Sequence, residues 1–171
     1  MKFCIEEINR LSKADFVELF KNVVECFPEA PEVVSEMVPF SSYAVLIKAF
    51  MDYLEQLNSI KKLKIVKLHP HLVPQINKSK LTDESASEQS TVGLNRMEND
   101  EKRVILTLLI ESYWEKFNFP FVICVRECKS TDDIIESVRT RMSRTPEEEL
   151  KVAFEHVKKI TSLRIADIVS H

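Results

Sequence analysis

Residues 119–126, FPFVICVR, are the run whose reading decides the fold class. Taken alone they read as a strand, because Phe119, Phe121, Val122, Ile123 and Val125 are aromatic or β-branched, the types that suit a pleated surface. A strand needs a neighbour to take up its peptide groups, and the chain offers little that would serve. Residues 60–68, IKKLKIVKL, alternate lysine with apolar side chains. That alternation can mean a strand, but with no convincing second strand nearby a short helix is expected there. FPFVICVR is therefore expected to be a lone extended segment that crosses the core and lines a pocket. The expected fold is all-α: a single bundle-like domain, residues 1–171, of about eight helices with one short extended segment.

Outward from that segment, the helices announce themselves by spacing and caps. Upstream, a helix is expected from Asp100 to about Phe117, with Val104, Leu108 and Tyr113 among its apolar positions. Downstream, Ser130 or Thr131 caps a helix over residues 132–142. Thr145-Pro146-Glu147-Glu148 is a capping box with proline at its first helical position. It starts a final helix to about Val169, with Leu150, Ala153, Phe154, Val157, Ile160, Leu163 and Ile168 as its buried stripe. Near the N-terminus, Ser12 caps a helix through about Cys26, which Pro28 ends. Pro31 suits the first turn of a short helix over residues 32–37. Pro39 and the Ser41-Ser42 pair precede a helix over residues 43–57, carrying Leu46, Ile47, Phe50, Met51 and Leu54 on one side, and Asn58 stops it.

Composition excludes several classes of function. The single glycine, Gly93, argues against phosphate-cradling loops of the P-loop or Rossmann kind, and against a turn-rich all-β fold. A net charge of −3 leaves no basic excess for a nucleic-acid backbone. No apolar run is long enough for a bilayer, and the first residues lack the apolar stretch of a secretory signal. Cys4, Cys26, Cys124 and Cys128 form no C-x-x-C pair and read as reduced thiols of an intracellular protein. The tail, Ile168-Val169-Ser170-His171, is not the Ser-Lys-Leu peroxisomal address, so the expected compartment, cytoplasmic or peroxisomal, stays open.

The chemistry-bearing stretch is residues 69–89, HPHLVPQINKSKLTDESASEQ. Thr82 can cap a helix, and Asp83 and Glu84 then lie in the first turn, where the helix dipole favours carboxylates. Ser85, Glu88 and Gln89 follow at spacings that share one helical face. A histidine delivered from the loop to that face could supply a general acid or base beside a carboxylate and two neutral hydrogen-bonding groups. A Thr-Asp-Glu-Ser run is also the ordinary start of a solvated helix. His69, His71 and Glu88 together could ligate a metal, although no third nitrogen or sulfur ligand accompanies them.

Four blocks in order, HPHLV, LTDESASEQSTVGL, WEKFNFPFVICVR and VKKITSLRIADI, resemble the 2-oxo-4-hydroxy-4-carboxy-5-ureidoimidazoline (OHCU) decarboxylases of urate breakdown, along essentially the whole chain. The resemblance implies His69 and Glu88 as the catalytic pair. It implies Pro70, Ser85, Ala86, Ser87 and Gln89, the segment Phe121, Val122, Ile123, Cys124 and Val125, and Arg164 as substrate-binding positions. It further implies OHCU as the small-molecule substrate, no cofactor, no metal and a homodimer. Certain positions depart from the family pattern. His71, Pro74 and Gln75 stand where the family shows aspartate, glycine and a basic residue. Ile110 stands for asparagine, and Asn118 for glycine. Asparagine tolerates the left-handed backbone that a glycine would supply at position 118.

These residue types fit such chemistry. An arginine can grip an anionic substrate bidentately, and a heterocycle with amide edges suits glutamine and backbone partners. The electron pair left by the departing carboxylate can delocalise into the substrate's own ring, so no external electron sink is needed. A histidine near neutral pKa can deliver the one proton required. Glu88 either positions the substrate hydroxyl or holds His69 in its working state. The alternative is a non-catalytic helical homologue that binds a purine-derived ligand or a protein partner. The changed run from His69 to Gln75 favours that alternative, and the five retained site residues favour the enzyme.

Overall fold

The computed structural model describes residues 2–73, 81–91 and 100–170. Among them are nine α-helices, one 3₁₀ turn and no strand. The all-α expectation holds, with one more helix than expected. The helices are α1 (Ile5–Ile8), α2 (Lys13–Phe20), α3 (Glu29–Ser35), α4 (Tyr43–Gln56), α5 (Ser59–Leu68), α6 (Asp83–Thr91), α7 (Asp100–Phe117), α8 (Thr131–Arg141) and α9 (Pro146–Ile168). Two compact units result: Met1–Leu68 with Lys158–His171, and His69–Val157. No helix of the described residues is long and apolar enough to cross a membrane.

The first unit is built on aromatic packing. Phe16 and Phe20 of α2 lie 4.6 Å apart, and Phe50 of α4 lies 5.7 Å from Phe20. Phe40 joins them 6.2 Å from Phe16. Asn9 pins that residue from both sides, its amide donating to the Phe40 carbonyl and accepting from its N–H at 2.8 Å each. Helix α2 ends at Phe20 rather than near Cys26. Val23, Val24, Glu25 and Phe27 are all buried, and a helix cannot turn four such closely spaced residues inward. The backbone instead turns irregularly, with Cys26 at φ 49°. Helix α3 starts three residues earlier than expected, after Pro28, and Pro31 still falls in its first turn, where its missing N–H leaves no bond unmade. Ser42 caps α4 by accepting from the Val45 N–H. Asn58 does more than stop α4: its side chain accepts from the Lys61 N–H at 2.9 Å and so caps α5. The helix expected over residues 60–68 is there.

The second unit holds the segment that set the fold class. Residues 119–124 are neither helix nor strand, and a 3₁₀ turn follows at Val125–Glu127. Cys124, at the end of that run, has extended backbone. Asn118, just past α7, sits at φ 57°, the left-handed backbone expected of it. Helix α7 has the expected bounds but not the expected face. Val104 and Leu108 are more than half exposed, whereas Leu106, Ile110, Tyr113 and Phe117 are buried, a spacing of four, three and four residues that keeps one face inward. Ser130 caps α8 in a capping box with Asp133. Thr145 and Glu148 cap α9 reciprocally, at 2.9 and 3.3 Å.

Helix α9 corrects the expected stripe. Leu150, Leu163 and Ile168 are only partly buried, while Glu149, Thr161 and Arg164 are fully inside. Glu149, with no exposed surface, is held by four groups, the longest contact being from Arg144 Nη1 to Oε2 at 3.5 Å. Arg141 donates to Oε1 through Nε at 2.7 Å and through Nη2, and the Tyr113 hydroxyl donates to the same oxygen at 2.5 Å. Arg141 also lies over the Phe121 ring, 4.2 Å from its centroid, and donates from Nη1 to the Val122 carbonyl at 2.8 Å. Burial first, and the Glu149 carboxylate second, push the Tyr113 phenol well above its ordinary range, so it stays a donor.

Removing Arg141 leaves Glu149 buried with only the longer Arg144 contact as a cationic partner, at a cost of up to about 3–5 kcal/mol. Arg141→Met should therefore lower unfolding free energy by about that amount in urea titrations, and Arg141→Met with Glu149→Leu should recover much of it. A double variant no more stable than the single one would show that Glu149 does not depend on Arg141.

Candidate active site

His69 follows the last residue of α5, held out of the helix by Pro70. It is 6% exposed. The loop continues through Leu72 and Val73, both buried. Pro74, Gln75, Asn77, Ser79 and Gly93 lie outside the described residues, as do residues 92–97, over which the sequence also predicts the helix to continue.

Helix α6 starts as the sequence predicts. Thr82 Oγ1 accepts from the Ser85 N–H at 3.2 Å, and Asp83 and Glu84 occupy the first turn. Its inward face is the one foreseen: Ser85 and Gln89 are buried, Glu88 and Ala86 partly so, and Ser87 is exposed. Gln89 Nε2 donates to the His71 carbonyl at 3.4 Å, a long bond that ties the histidine loop to α6. The His71 ring packs on Trp114 of α7, with centroids 4.9 Å apart. That contact gives the loop an anchor where the family pattern has an aspartate.

Helix α6 packs on the 3₁₀ turn that closes the segment. Phe121, Val122, Ile123, Cys124 and Val125 are all at least nine-tenths buried. Burial pushes the Cys124 thiol up, with the Glu127 and Glu88 carboxylates adding to it, so Glu88 is close enough to be felt there. Burial likewise raises Cys128 to about 11. Both thiols are protonated at neutral pH and neither is a ready nucleophile. The four cysteines form no disulfide. Among the described residues no group of three His, Cys, Asp or Glu side chains is arranged to hold a metal ion.

Within one unit, then, the His69 loop, the Ser85–Glu88–Gln89 face and the 121–125 segment are linked by contacts. Arg164 belongs to the other unit. It is 3% exposed, and its Nη1 donates to Glu25 Oε2 at 2.8 Å and to the Asn22 carbonyl at 2.7 Å. Three residues that the sequence did not single out bear on the segment: Arg141, Glu149 and His156, whose Nδ1 accepts from the Cys124 N–H at 3.2 Å. Glu149 follows directly on a capping box, inside a run of glutamates that reads as a solvated helix start. Only its place one turn before the apolar Ala153 hinted at an inward direction.

The sequence profile described as OHCU decarboxylase matches residues 9–166, which spans both units. The chain belongs to the OHCU decarboxylase family. It is 33% identical over 165 residues to the 2-oxo-4-hydroxy-4-carboxy-5-ureidoimidazoline decarboxylase of Xenopus laevis, covering 96% of this chain and 93% of that one. It is 32% identical to the uric acid degradation bifunctional protein of Bacillus sp. (strain TB-90), over 96% of this chain but 32% of that longer protein. Among solved structures it is similar to an OHCU decarboxylase crystallised in the presence of (S)-allantoin, with a TM-score of 0.65 and 25% identity over 81% of this chain and 89% of that one.

Burial holds the His71 imidazole below its ordinary value of 6.5. Above pH 6.5 the folded and unfolded chains both carry it neutral. Below that, the unfolded chain takes up a proton that the fold resists, so stability drops as pH falls from 6.5 towards the folded value. His71→Asn should flatten this slope in urea unfolding followed from about pH 7 to about pH 5. Parallel curves for the two proteins would remove His71 from the acid sensitivity.

Proposed function

We propose that this protein decarboxylates OHCU to (S)-allantoin and carbon dioxide in urate breakdown, as a carboxy-lyase that uses no cofactor. The family match over residues 9–166 carries the reading. The clustering of a buried histidine, a helix face with a carboxylate, and a buried run of backbone supports it. In the proposed reaction the bond from the ring carbon to the carboxylate breaks, carbon dioxide leaves, and the electron pair delocalises into the ring. His69 delivers a proton to one face of the neighbouring, ureido-bearing ring carbon, while the hydroxyl on the carbon that lost carbon dioxide becomes the ring carbonyl and its proton passes to the ring nitrogen that received the electron pair, giving a single hand of allantoin. Glu88 positions the substrate hydroxyl or holds His69 in its working state. Ser85, Gln89 and Pro70 line the ring, with Ala86 and Ser87 beside them, and the backbone of Phe121, Val122, Ile123, Cys124 and Val125 takes the amide edges. Not all of that backbone is open to a ligand, because the Cys124 N–H is engaged by His156. A homodimer, and a cytoplasmic or peroxisomal home, are part of the same proposal on the strength of the resemblance.

A circular dichroism time course tests it. Fresh OHCU, made from urate by urate oxidase and the hydrolase that follows it, is given to the protein. A lasting signal of one hand of allantoin is expected, against racemic product without protein. His69→Ala should lower turnover by about 100- to 10,000-fold, and near-normal turnover would sink the role of His69. No optical excess with the unaltered protein would turn the reading to the non-catalytic homologue.

Arg164 needs a gentler change than alanine, which would strand the buried Glu25 carboxylate at a cost of about 3–5 kcal/mol. Arg164→Lys keeps a cation for Glu25 but loses the fork that grips an anion bidentately. It should raise KM for OHCU several-fold with the unfolding midpoint little changed. An unchanged KM would leave Arg164 with its Glu25 partnership alone.

A further inference from the structure

The segment of residues 121–125 has two edges, and one of them is already occupied by side chains. In extended backbone, successive residues turn their N–H and C=O groups to opposite edges. The Val122 carbonyl and the Cys124 N–H flank Ile123, and both are engaged by side chains; an extended Ile123 turns its own N–H and C=O to the opposite edge. The first edge is filled from α8 and α9: Arg141 Nη1 donates to the Val122 carbonyl at 2.8 Å, and His156 Nδ1 accepts from the Cys124 N–H at 3.2 Å. Arg141 and His156 also line one cavity of about 410 Å³. Together they stand where a neighbouring strand would. Beyond them the segment turns away, since the Cys124 and Val125 carbonyls accept from the Glu127 and Cys128 N–H groups at 3.0 Å. On the second edge, no backbone group of the described residues pairs with the Ile123 N–H or C=O, although Ile123 is only 7% exposed. Buried peptide groups call for a partner.

We propose that His156 and Arg141 are positioning residues that close one edge of the segment and thereby present the N–H and C=O of Ile123 to the substrate. An adjacent donor and acceptor of that kind selects a ligand with the complementary pair, the C=O and N–H of a ureido group or a ring lactam. The inference rests on the decarboxylase reading above and assigns the amide recognition in it to one residue's backbone. Arg141 is fixed by Glu149 and Tyr113, so the frame on that side is stiff. His156 holds the other end in the tautomer that leaves Nδ1 bare and carries its proton on Nε2.

The test compares the unaltered chain with His156→Leu, which removes the acceptor, and with His156→Asn, whose Oδ1 lies near the former Nδ1 and can accept in its place. Turnover of fresh OHCU and binding of (S)-allantoin are both measured. Because the contact serves ground state and transition state alike, His156→Leu should raise KM and weaken allantoin about tenfold, with kcat within about twofold. His156→Asn should restore most of both. In ¹⁵N spectra of the unaltered protein, allantoin should move the Ile123 amide and leave that of Cys124 nearly still. If His156→Leu does not fold, His156→Gln is read in its place, since its amide oxygen falls near Nε2 and not Nδ1. Unchanged KM in His156→Leu, or equal loss in Leu and Asn, overturns the inference while turnover by the unaltered protein keeps the decarboxylase reading. An unaltered protein that neither turns over OHCU nor shifts its Ile123 amide with allantoin overturns both.

Discussion

Glu149 is a carboxylate with no exposed surface, and helix α7, helix α8 and the extended segment all reach it or its partner. A charge taken that far from water is tolerable only if its lone pairs are filled. Tyr113 comes from α7 and Arg141 from the last turn of α8, while Glu149 belongs to the first turn of α9. Compared with apolar side chains of equal volume, such a pair adds little net stability. What it adds is direction. Arg141 has a rigid fork, and once Nε and Nη2 are committed to Glu149, Nη1 has one place to go, which is the Val122 carbonyl. The same guanidinium covers the Phe121 ring. The backbone of the segment is thus set by side chains on helices, and it needs no neighbouring strand.

That explains why the fold class was legible although its deciding segment looks like β structure. FPFVICVR has strand composition because all of it but Arg126 is buried, and composition records burial more than it records sheet. The helices around it were legible where local chemistry decides them. The Ser12, Ser42, Thr82, Ser130 and Thr145 caps all hold, because a cap is a contact over three residues. The failures fall where burial overrides periodicity. Val23 and Val24 leave the helix expected through Cys26, and the apolar residues Val104 and Leu108 of α7 stay outside. Periodicity identifies the apolar face of α7 only if all apolar residues count equally. Leu106, Ile110, Tyr113 and Phe117 are the ones turned inward, and the rings of Tyr113 and Phe117 pack tilted against each other at 4.5 Å.

The site was legible in a different way. Thr82, Ser85, Glu88 and Gln89 could be read as one helix face from spacing, and Ser85 and Gln89 are buried as that reading required. The assignment of work to His69 and Arg164 came from resemblance, because neither a loop histidine nor a helix arginine says what it faces. The residues that shape the 121–125 backbone, Arg141, Glu149 and His156, were not legible at all. Their partners are 8 to 36 residues away in sequence, and each sits among charged neighbours that look solvated. Sequence patterns report faces, while the pairing of one buried charge with another is a tertiary fact.

A decarboxylation whose electron sink lies inside the substrate asks the protein for placement more than for reactivity. Placement on a backbone edge is cheap in conformational entropy only if that backbone is already fixed before the ligand arrives. Here the fixing groups are helix-borne side chains whose own rotamers are set by burial. The positions that depart from the family pattern can be weighed by the same criterion. Asn118 keeps the left-handed turn that leads α7 into the segment, so the change from glycine leaves the backbone path intact. His71 gives up the aspartate's charge but gains a ring contact with Trp114, and its carbonyl is the one Gln89 reaches. The loop that carries His69 is therefore tied to the α6 face through a backbone atom that the change leaves in place, and to α7 through the ring contact. Substitutions that exchange one anchor for another alter how the histidine is held, and they leave in place the frame against which it would act.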